Sequence, residues 1–522
     1  MSGGAQARPS RRLMIEGGVA AAIWLGAACK RQSRNAGGAA TAGADGTDAT
    51  PAALEVAMRA SPSEALLDPA SRRPAKVWRF DGKRITGAAE ALVNQPDSYL
   101  GPTFRVQRGQ RLRIHFENAL EEPSIIHWHG LQVPEASDGH PRFAVGPGAT
   151  YHYDFTVENR PGLYWYHAHP DRRTGPQVYA GMAGLFLVED PDDGARGLPT
   201  GEADLPLVIQ DRQLGRDGEL FYAPNQMMGF LGDRIFVNGR QTPAFTVRAG
   251  STRLRLLNGS NSRVYKLAFS DDRPMTVIGS DGGLLATPVR KPYVVLAPGE
   301  RVELWTDFAR STSGQRVGLE SRAFAAAGGM MAMGGMMGRG GGGGLPNGAP
   351  FLVCRFEVRG AGEQLRVPAR FEALAWRPDG EVVNRGKPRR FDVSMSMMRW
   401  QLNGRSFDMT DVGEDERVKL GSTEDWEFRN LGGMMAMAHP IHIHAGQFQV
   451  LEREVAPQWQ AAADTLRTGL VTEGWKDTFL LLPGERVRLR MRFERYAGLF
   501  LYHCHNLEHE DAGMMRNFLI EA

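Results

Sequence analysis

GLFLYHCHNLEH, residues 498–509, joins an apolar run to a cluster of three histidines and one cysteine. The apolar run before His503 predicts a buried strand, and successive side chains of a strand point to opposite faces. His503 and His505 therefore face one way, and Cys504 faces the other. One short segment is expected to serve two different sites.

Cys504 is suited to bind a metal ion together with residues that follow it. Its thiolate, the His509 imidazole, the Met514 thioether and one further imidazole would give the His₂Cys site with a weak axial Met that suits electron-transfer copper. The imidazoles of His503 and His505 would then belong to a second metal site, one peptide bond away. The pattern predicts two redox centres joined by a covalent path.

The spacing of histidines predicts that second centre. The chain has 13 His in 522 residues, and random placement would give fewer than one His-x-His pair, yet there are four. The pairs are His127/His129, His167/His169, His442/His444 and His503/His505. Aromatic and β-branched neighbours favour strands, on which both imidazoles of a pair point the same way. Eight converging imidazoles can hold about three copper ions.

Four motifs, in chain order, resemble those of the multicopper oxidases. They are His-Trp-His-Gly at 127–130, Tyr-Trp-Tyr-His-Ala-His at 164–169, His-Pro-Ile-His-Ile-His at 439–444 and His-Cys-His-Asn-Leu-Glu-His at 503–509. The resemblance runs from about residue 75 to the end of the chain. It is greatest to bacterial periplasmic copper-tolerance oxidases, with bacterial laccases and bilirubin oxidase as near relatives. It implies four copper ions and the four-electron reduction of O₂ to water.

The resemblance also implies a role for each ligand. The type 1 copper would be held by His439, Cys504, His509 and Met514, and the type 2 copper by His127 and His442. The type 3 pair would take His129, His167 and His505 on one ion, and His169, His444 and His503 on the other. Reduction of O₂ consumes protons. Asp138 and Glu510 match the acidic positions of the family that stand near the cluster.

A repeated pattern predicts three similar β-domains. Short alternating strands punctuated by Gly and Pro are typical of all-β proteins. A strand, a Gly turn, a second strand and an Asn recur three times, beginning at Val106, Val247 and Val418. Greek-key β-sandwiches fit units of this size, and the family resemblance makes them cupredoxin-like. The predicted domains are 75–192, 200–360 and 368–522, the last holding the type 1 copper.

Histidine placement indicates what each domain does. No His occurs between residues 170 and 438, so the middle domain is expected to be a spacer and the cluster to lie between the first and third domains. His115, His140 and His152 are left over, and we expect ordinary strand or loop residues. Cys354, in a strand-like apolar run, is expected to be a buried, inert thiol.

The N-terminal residues predict export. Arg11-Arg12 followed by an apolar run makes residues 1–34 similar to a twin-arginine signal, which sends folded proteins to the periplasm. The residues before Cys29 are near a lipoprotein cleavage site, which leaves a lipid anchor at Cys29 open. Residues 35–74 are rich in Ala, Gly and Thr, and this composition predicts a disordered tether.

Composition excludes several classes of partner. The first 34 residues carry six of the 62 Lys and Arg and one of the 59 Asp and Glu, which leaves 56 basic and 58 acidic groups. A near-neutral chain argues against nucleic acid as a partner. No run of about 18 apolar residues is present, so no transmembrane span is predicted. We expect a monomer whose partners are O₂ and small reductants.

The positions of many of the 22 methionines indicate which substrate is oxidised. Five lie in the Gly-rich run 328–344, namely Met330, Met331, Met333, Met336 and Met337. Six more lie close in sequence to the type 1 ligand His439, namely Met395, Met397, Met398, Met434, Met435 and Met437. Thioethers are soft donors that prefer Cu(I) to hard ions. These residues therefore favour a surface that recruits cuprous ions, and flexible filler is the alternative for the Gly-rich run.

Two departures from the copper-tolerance oxidases keep other substrates open. Their Met-rich insert is longer and contains His, and they tend to place an Asp where this chain has Met435. The leading hypothesis is an oxidase of Cu(I) and phenols with a role in copper tolerance. The alternative is a laccase or bilirubin-oxidase-like enzyme acting mainly on organic substrates. A non-catalytic copper-binding or cell-division-associated protein is a more remote alternative.

Overall fold

The computed structural model describes residues 52–68, 70–71, 73–95, 98–325, 345–371, 381–396, 399–432 and 436–522. Nearly all regular structure in these ranges is β-strand, which confirms the predicted all-β class. None of the helices within them has the length and apolar character needed to span a membrane. The predicted export signal, Cys29 and the Gly-rich run 328–344 lie outside the described residues.

The first nine strands form two sheets. They are β1 Leu54–Ala65, β2 Ala75–Thr86, β3 Leu92–Val93, β4 Thr103–Gln107, β5 Arg111–Asn118, β6 Ile126–His127, β7 Thr150–Thr156, β8 Gly162–Ala168 and β9 Ala183–Glu189. One sheet has the order β2-β1-β5-β7 and the other β3-β4-β9-β8-β6. Their apolar faces share a core that includes Phe104, Trp128 and Phe186. Burial of this aromatic cluster supplies much of the domain's hydrophobic stabilisation.

The predicted tether over residues 35–74 is wrong for residues 54–65, because these form the first strand of the fold. β1 pairs in antiparallel register with β2 and in parallel register with β5. Leu54, Val56, Met58 and Ala60 alternate into the core. The prediction rested on composition, in which small and polar residues outweigh the alternating apolar ones. The strand is ordered because it pairs with a strand on each side. The first domain therefore begins about 20 residues earlier than predicted.

The next twelve strands also form two sheets. They are β10 Asp204–Arg212, β11 Arg234–Val237, β12 Arg240–Gln241, β13 Ala244–Ala249, β14 Ser251–Asn258, β15 Tyr265–Phe269, β16 Met275–Ser280, β17 Gly283–Lys291, β18 Val294–Leu296, β19 Arg301–Asp307, β20 Arg316–Ser321 and β21 Phe351–Ala361. The sheet orders are β12-β11-β10-β14-β19-β16-β17 and β13-β21-β20-β15-β18. Cys354 lies fully buried in their shared core, as predicted.

The last ten strands repeat the arrangement. They are β22 Arg389–Ser396, β23 Arg399–Leu402, β24 Arg417–Lys419, β25 Thr423–Asn430, β26 His439–Ile443, β27 Phe448–Val455, β28 Thr478–Leu481, β29 Glu485–Arg492, β30 Gly498–Cys504 and β31 Met515–Glu521. The sheet orders are β23-β22-β25-β29-β27 and β24-β31-β30-β26-β28. β30 is the strand predicted from residues 498–504. It pairs with β26 and β31, and it is buried from Leu499 to Cys504.

Three short α-helices connect these strands within the described part of the chain. They are α1 Thr174–Ala180, α2 Gln460–Arg467 and α3 Leu507–Asp511. α3 begins directly after β30, and the Asn506 side chain accepts a hydrogen bond from the backbone N–H of His509. Asp511 accepts bonds of 2.9 Å from the backbone N–H groups of Thr174 and Gly175 in α1. These bonds join the first and third domains beside the histidine pairs.

Candidate metal centres

Cys504 lies between two imidazoles in the core of the third domain. Its Sγ is 3.5 Å from Nδ1 of His439 and 3.6 Å from Nδ1 of His509. His439 begins β26, whose Ile441 is the register partner of Cys504 on β30. Met514 is also fully buried, and its carbonyl accepts a bond of 3.0 Å from the backbone N–H of Cys504. The structure thus brings together three of the side chains predicted for type 1 copper, His439, Cys504 and His509, and places Met514 in the same buried core.

The eight paired imidazoles converge on the other side of β30. Register pairs His127 with His167, and His442 with His503, across neighbouring strands. Nε2 of His127 lies 3.3 Å from Nε2 of His442 across the boundary between the first and third domains. Three groups have ligand atoms close enough to share an ion: His127/His129/His442, His129/His167/His505 and His169/His444/His503. Two of these are the predicted type 3 sets, and the first contains the predicted type 2 pair.

The protonation and pairing of these imidazoles fit a metal cluster. Burial lowers the pKa of His167 to about 4 and that of His169 to about 3, so both rings are neutral at physiological pH, as metal ligation requires. Nε2 of His167, both nitrogens of His169 and both nitrogens of His505 are buried without a hydrogen-bond partner among the described residues. Buried polar atoms are rarely left unpaired. Imidazole nitrogens in this state, and a thiolate between two more, are the donors that copper prefers.

A buried thiol alone would not supply that thiolate. Burial raises the pKa of Cys504 above its usual value, so the sulfur holds its proton until a cation displaces it. A coordinating metal ion deprotonates a thiol directly. The Cys504 site is therefore built to be completed by a metal.

Both predicted acids lie against the imidazole cluster. Oδ2 of Asp138 accepts a bond of 2.7 Å from Nδ1 of His444, and its backbone carbonyl accepts one of 2.6 Å from Nδ1 of His127. Oε2 of Glu510 lies 3.0 Å from Nδ1 of His503. All these groups are buried.

The environments push the pKa values of the two acids in opposite directions. Burial, and then the charge of Glu135, raise the pKa of Asp138 well above its usual range. Burial acts in the same sense on Glu510, but interaction with the neighbouring imidazoles of His503 and His169 outweighs it and lowers the pKa of Glu510 to about 2. One carboxyl group therefore keeps a proton at neutral pH, and the other is ionised.

A third buried acid, Asp477, was not predicted. Its Oδ1 lies 3.1 Å from Nε2 of His129, and its backbone carbonyl accepts a bond of 2.8 Å from Nδ1 of His442. Arg301, from the middle domain, donates to both carboxylate oxygens, at 2.6 and 2.5 Å. The signal was present in the sequence: a Lys-Asp pair stands directly before the apolar strand β28, where a charge is costly unless paired.

The middle domain is not only a spacer, although it supplies no imidazole. Gly299 has a φ of +85°, and a Cβ there would lie 3.1 Å from ring carbons of His129 and His505. The turn before β19 therefore packs directly on the cluster, and only glycine allows so close an approach. Together with Arg301, this turn makes the middle domain one wall of the site.

Met227 and Trp400 cover the outer edge of the Cys504 site, and sequence reasoning missed both. The carbonyl of Met227 accepts bonds from Nε2 of His509 at 3.1 Å and from Nε1 of Trp400 at 3.3 Å. The Trp400 ring lies 4.5 Å from that of His439. Met227 and the following Met228 are half-buried. The half-buried Met227-Met228 segment thus contacts the fully buried ring of His509.

The other predicted residues lie as follows. Met395 and Met437 are half-buried against the core of the third domain. Met330, Met331, Met333, Met336, Met337, Met397, Met398, Met434 and Met435 lie outside the described residues. His140 is buried, and its Nε2 bonds Oδ1 of Asn517 at 2.9 Å, which fits the ordinary role expected of it.

Comparison with known proteins identifies the family to which this chain belongs. Models of multicopper oxidase domains match residues 81–193 and 383–522. The chain is also 30% identical over 417 residues to the multicopper oxidase Mco of Staphylococcus haemolyticus, a match that covers 80% of this chain and 81% of that protein. The chain belongs to the multicopper oxidase family. This multicopper oxidase is therefore an oxidoreductase with copper as cofactor and O₂ as acceptor.

Other relatives of this multicopper oxidase carry different names. Bilirubin oxidase of Albifimbria verrucaria is 31% identical over 448 residues, covering 83% of this chain and 73% of that protein. Cell division protein FtsP of Pectobacterium atrosepticum is 31% identical over 471 residues, with coverage of 85% and 88%. The crystal structure of McoA from Aquifex aeolicus superposes with a TM-score of 0.75 at 32% identity, covering 90% of this chain and 97% of that one.

Proposed function

We propose that this multicopper oxidase oxidises Cu(I), and also bulky phenols, at a type 1 copper in the periplasm, and that it serves copper tolerance. The observation that carries this proposal is the edge of the Cys504 site. His509 reaches the half-buried Met227-Met228 segment through a hydrogen bond, so an electron donor bound to thioethers there would stand beside a type 1 ligand. Thioethers bind Cu(I) in preference to harder ions.

The proposed resident ions number four. His439, Cys504, His509 and Met514 would hold the type 1 ion, and His127 and His442 the type 2 ion. His129, His167 and His505 would hold one type 3 ion, and His169, His444 and His503 the other. When bound, copper supplies the one-electron steps and the open positions at which O₂ becomes water. The chain itself supplies the path, because Cys504 is bonded to both His503 and His505.

Asp138 and Glu510 are proposed to hold and move the protons that the reaction consumes. Asp138 uses Oδ2 to accept from His444, which leaves Oδ1 for its own proton, and Oδ1 has no hydrogen-bond partner among the described residues. That proton is free to be delivered towards the cluster. Glu510 has a low pKa and holds a proton only weakly, so a proton that reaches it would pass on readily towards the cluster. The opposed pKa shifts thus favour Asp138 as the acid that stores a proton and Glu510 as a transient relay.

A laccase acting mainly on organic molecules is the second candidate. Met435 stands where copper-tolerance oxidases tend to have an Asp, so one hard ligand for copper is missing. The indole of Trp400, buried beside His439, makes this edge of the site aromatic, which favours an aromatic reductant over a metal ion. The similarity to bilirubin oxidase supports the same candidate. The two candidates give methionine different roles. Oxidation of Cu(I) would depend on the thioethers, whereas oxidation of organic molecules would not.

Substituting leucine for methionine separates them. We expect the double variant Met227→Leu/Met228→Leu to lose most of its Cu(I) oxidation while phenol oxidation stays within about twofold, because leucine keeps the apolar volume but removes the sulfur. Met275→Leu, in the core of the middle domain, is the matched control. Equal loss of both activities, or no change in Cu(I) kinetics, contradicts the proposal. Deletion of Met330 to Met337 applies the same comparison to the Gly-rich run.

The similarity to FtsP suggests the non-catalytic alternative, and visible absorption of the copper-loaded protein tests it. All twelve proposed ligands are present in this chain, and a thiolate held with two imidazoles gives an intense blue absorption when copper is bound. A colourless copper-loaded protein without oxygen consumption would favour that alternative. Export is tested separately, since Arg11→Lys/Arg12→Lys should leave the protein in the cytoplasm if the twin-arginine signal is used.

A further inference from the structure

Two of the three unassigned histidines face each other on the outer surface of the first domain. His115 on β5 and His152 on β7 are register partners. Their Nδ1 atoms are 2.8 Å apart. The side chain of His115 is about one-third exposed, and His152 is exposed. The sheet that holds them contributes none of the eight clustered imidazoles, so this pair is separate from both copper centres.

A carboxylate fixes the tautomer of the inner ring. Oε1 of Glu55, on β1 at the other side of β5, lies 2.7 Å from Nε2 of His115. A carboxylate accepts, so Nε2 of His115 carries the proton and its Nδ1 is left as a bare lone pair directed at His152. Metal-binding histidines typically donate the opposite ring N–H to a carboxylate in this way, which orients the ring and raises its basicity.

The separation of the two nitrogens indicates which ion would fit. Two nitrogens about 2.0 Å from one ion are about 2.8 Å apart at a right angle and about 3.3 Å apart at a tetrahedral angle. The observed 2.8 Å is the length of an N–H···N hydrogen bond, and because it equals the right-angle value an ion could replace the proton without moving the two rings apart. Right angles between imidazole ligands are typical of Cu(II), whereas Zn(II) prefers tetrahedral sites.

The residues around His115 and His152 leave room for an ion between the two rings. Ala57 on β1 is the register partner of His115, and its methyl group takes little space. The nearby charges are already paired: Glu117 lies 3.4 Å from Arg59, and Asp154 accepts from Arg113. Because His152 is exposed, water can supply the remaining ligands of an ion bound to both rings.

We propose that His115 and His152 form a surface site for a divalent ion, with Cu(II) as the preferred ion, Glu55 as the positioning residue and water as the other ligands. The site is additional to the copper of the active centres. It does not depend on which reductant the enzyme uses. In the absence of an ion, the pair is held by a shared proton between the two Nδ1 atoms.

The test uses the copper-loaded enzyme after removal of loosely held metal by a weak chelator. Titration with Cu(II), followed by calorimetry and by electron paramagnetic resonance, should show one further ion per chain with nitrogen ligands and no added blue absorption. We expect His115→Asn and His152→Asn each to abolish this binding. Turnover and thermal stability should match the unsubstituted enzyme, which shows that the variants are folded.

Two glutamate variants distinguish a built site from general surface charge. Glu55→Gln should weaken Cu(II) binding about 10- to 100-fold, the usual cost of losing a carboxylate that orients a metal-binding His. Glu117→Gln removes the same charge from the same sheet face, two residues from His115, and should leave binding unchanged. Equal effects of both variants contradict the proposal, as does an enzyme that takes up no further ion.

A third arm tests the choice of ion. Zn(II), titrated in place of Cu(II), should bind more weakly to the unsubstituted enzyme, both by geometry and by the general order of affinity. Tighter binding of Zn(II), or Cu(II) binding that survives in His152→Asn, overturns the assignment.

Discussion

The two proposed copper centres of this multicopper oxidase differ in how much of the chain must fold to build each. The Cys504 site draws all four of its proposed ligands from residues 439–514 of one domain. The imidazole cluster takes four ligands from residues 127–169 and four from residues 442–505. Gly299 of the middle domain also packs against this cluster. The first centre needs one folded domain, whereas the second needs three domains closed on one another.

The surroundings of the centres differ in the same way. The Cys504 site is set in the apolar core of the third domain and covered by Trp400. The cluster rests on a buried ionic network in which Asp477 is shared between His129 and Arg301. An apolar wall tolerates small changes of shape, but a buried charge that loses its partner is costly. Substitutions should therefore affect the two centres separately.

The largest effect is expected for Cys504→Ser. The hydroxyl is a poor ligand for electron-transfer copper, so the blue absorption should vanish and turnover should fall by about 10⁴-fold or more. The cluster should keep its copper, because no cluster ligand changes. Steady-state oxygen consumption with metal analysis measures both quantities.

Cys354→Ser is the matched control, since Cys354 is equally buried but lies in the core of the middle domain. It should lower stability by about 1–3 kcal/mol, the cost of burying a hydroxyl, and leave the blue absorption intact. If Cys504→Ser consumed oxygen at an undiminished rate, electrons would not pass through that sulfur.

A smaller effect is expected when the link between the middle domain and the cluster is cut. Arg301→Met leaves the buried Asp477 without its arginine partner, which should cost about 3–5 kcal/mol in the free energy of unfolding and release copper from the cluster before the type 1 site. Denaturant unfolding and copper counts on the same sample measure this. Arg253→Met is the control: Arg253 is equally buried and bonds Glu303 and Asp193 away from the copper. Selective loss of copper in the control as well would contradict the assignment.

Much of this arrangement could be predicted from the sequence because the chemistry is local. His-x-His spacing on strands directs two imidazoles to one face, and the His-Cys-His triplet at 503–505 joins two sites whatever the rest of the fold does. The structure groups the residues of the two implied type 3 sets, and it places the implied type 2 pair together with His129. Periodicity and residue type sufficed for these residues.

Acidification should weaken the metal-free protein through both centres. Burial lowers the pKa of His169, in the cluster, and of His509, beside Cys504, to about 3. Between about pH 6.5 and pH 3 the unfolded chain binds more protons, so the free energy of unfolding falls as pH falls. From pH 7 to pH 5 we expect a loss of about 2 kcal/mol for each of these imidazoles.

Two single variants measure how much each imidazole contributes to this loss of unfolding free energy, by chemical denaturation at pH 7 and pH 5. His169→Asn and His509→Asn should each reduce the pH-dependent loss by about 2 kcal/mol, since each removes one buried imidazole. An unchanged loss in either variant would mean that its ring is protonated in the folded protein.

The smallest effect is expected for the proton donor. Asp138→Asn keeps a polar group beside His444 but cannot deliver a proton, so turnover should fall about 10- to 100-fold with the blue absorption unchanged. Glu117→Gln, on the outer surface of the first domain, provides the control. A variant as active as the unsubstituted enzyme would show that the protons arrive by another route.

Other parts of the site could not be predicted, because they depend on contacts between distant segments. Asp477 gains its role from Arg301, 176 residues away, and Met227 from His509, 282 residues away. The strand β1 is ordered by its neighbours rather than by its own composition. No local period or residue type encodes such pairings, whose energies arise only when the domains are packed.

The most direct test of two unlike copper centres in one chain is a single measurement on the copper-loaded enzyme: copper content and visible absorption of the same sample. We expect four ions per chain and the intense blue band of one thiolate-bound ion. In Cys504→Ser this band should disappear together with only one of the four ions. A loaded enzyme that is colourless, or a Cys504→Ser variant that loses the whole cluster, would contradict this expectation.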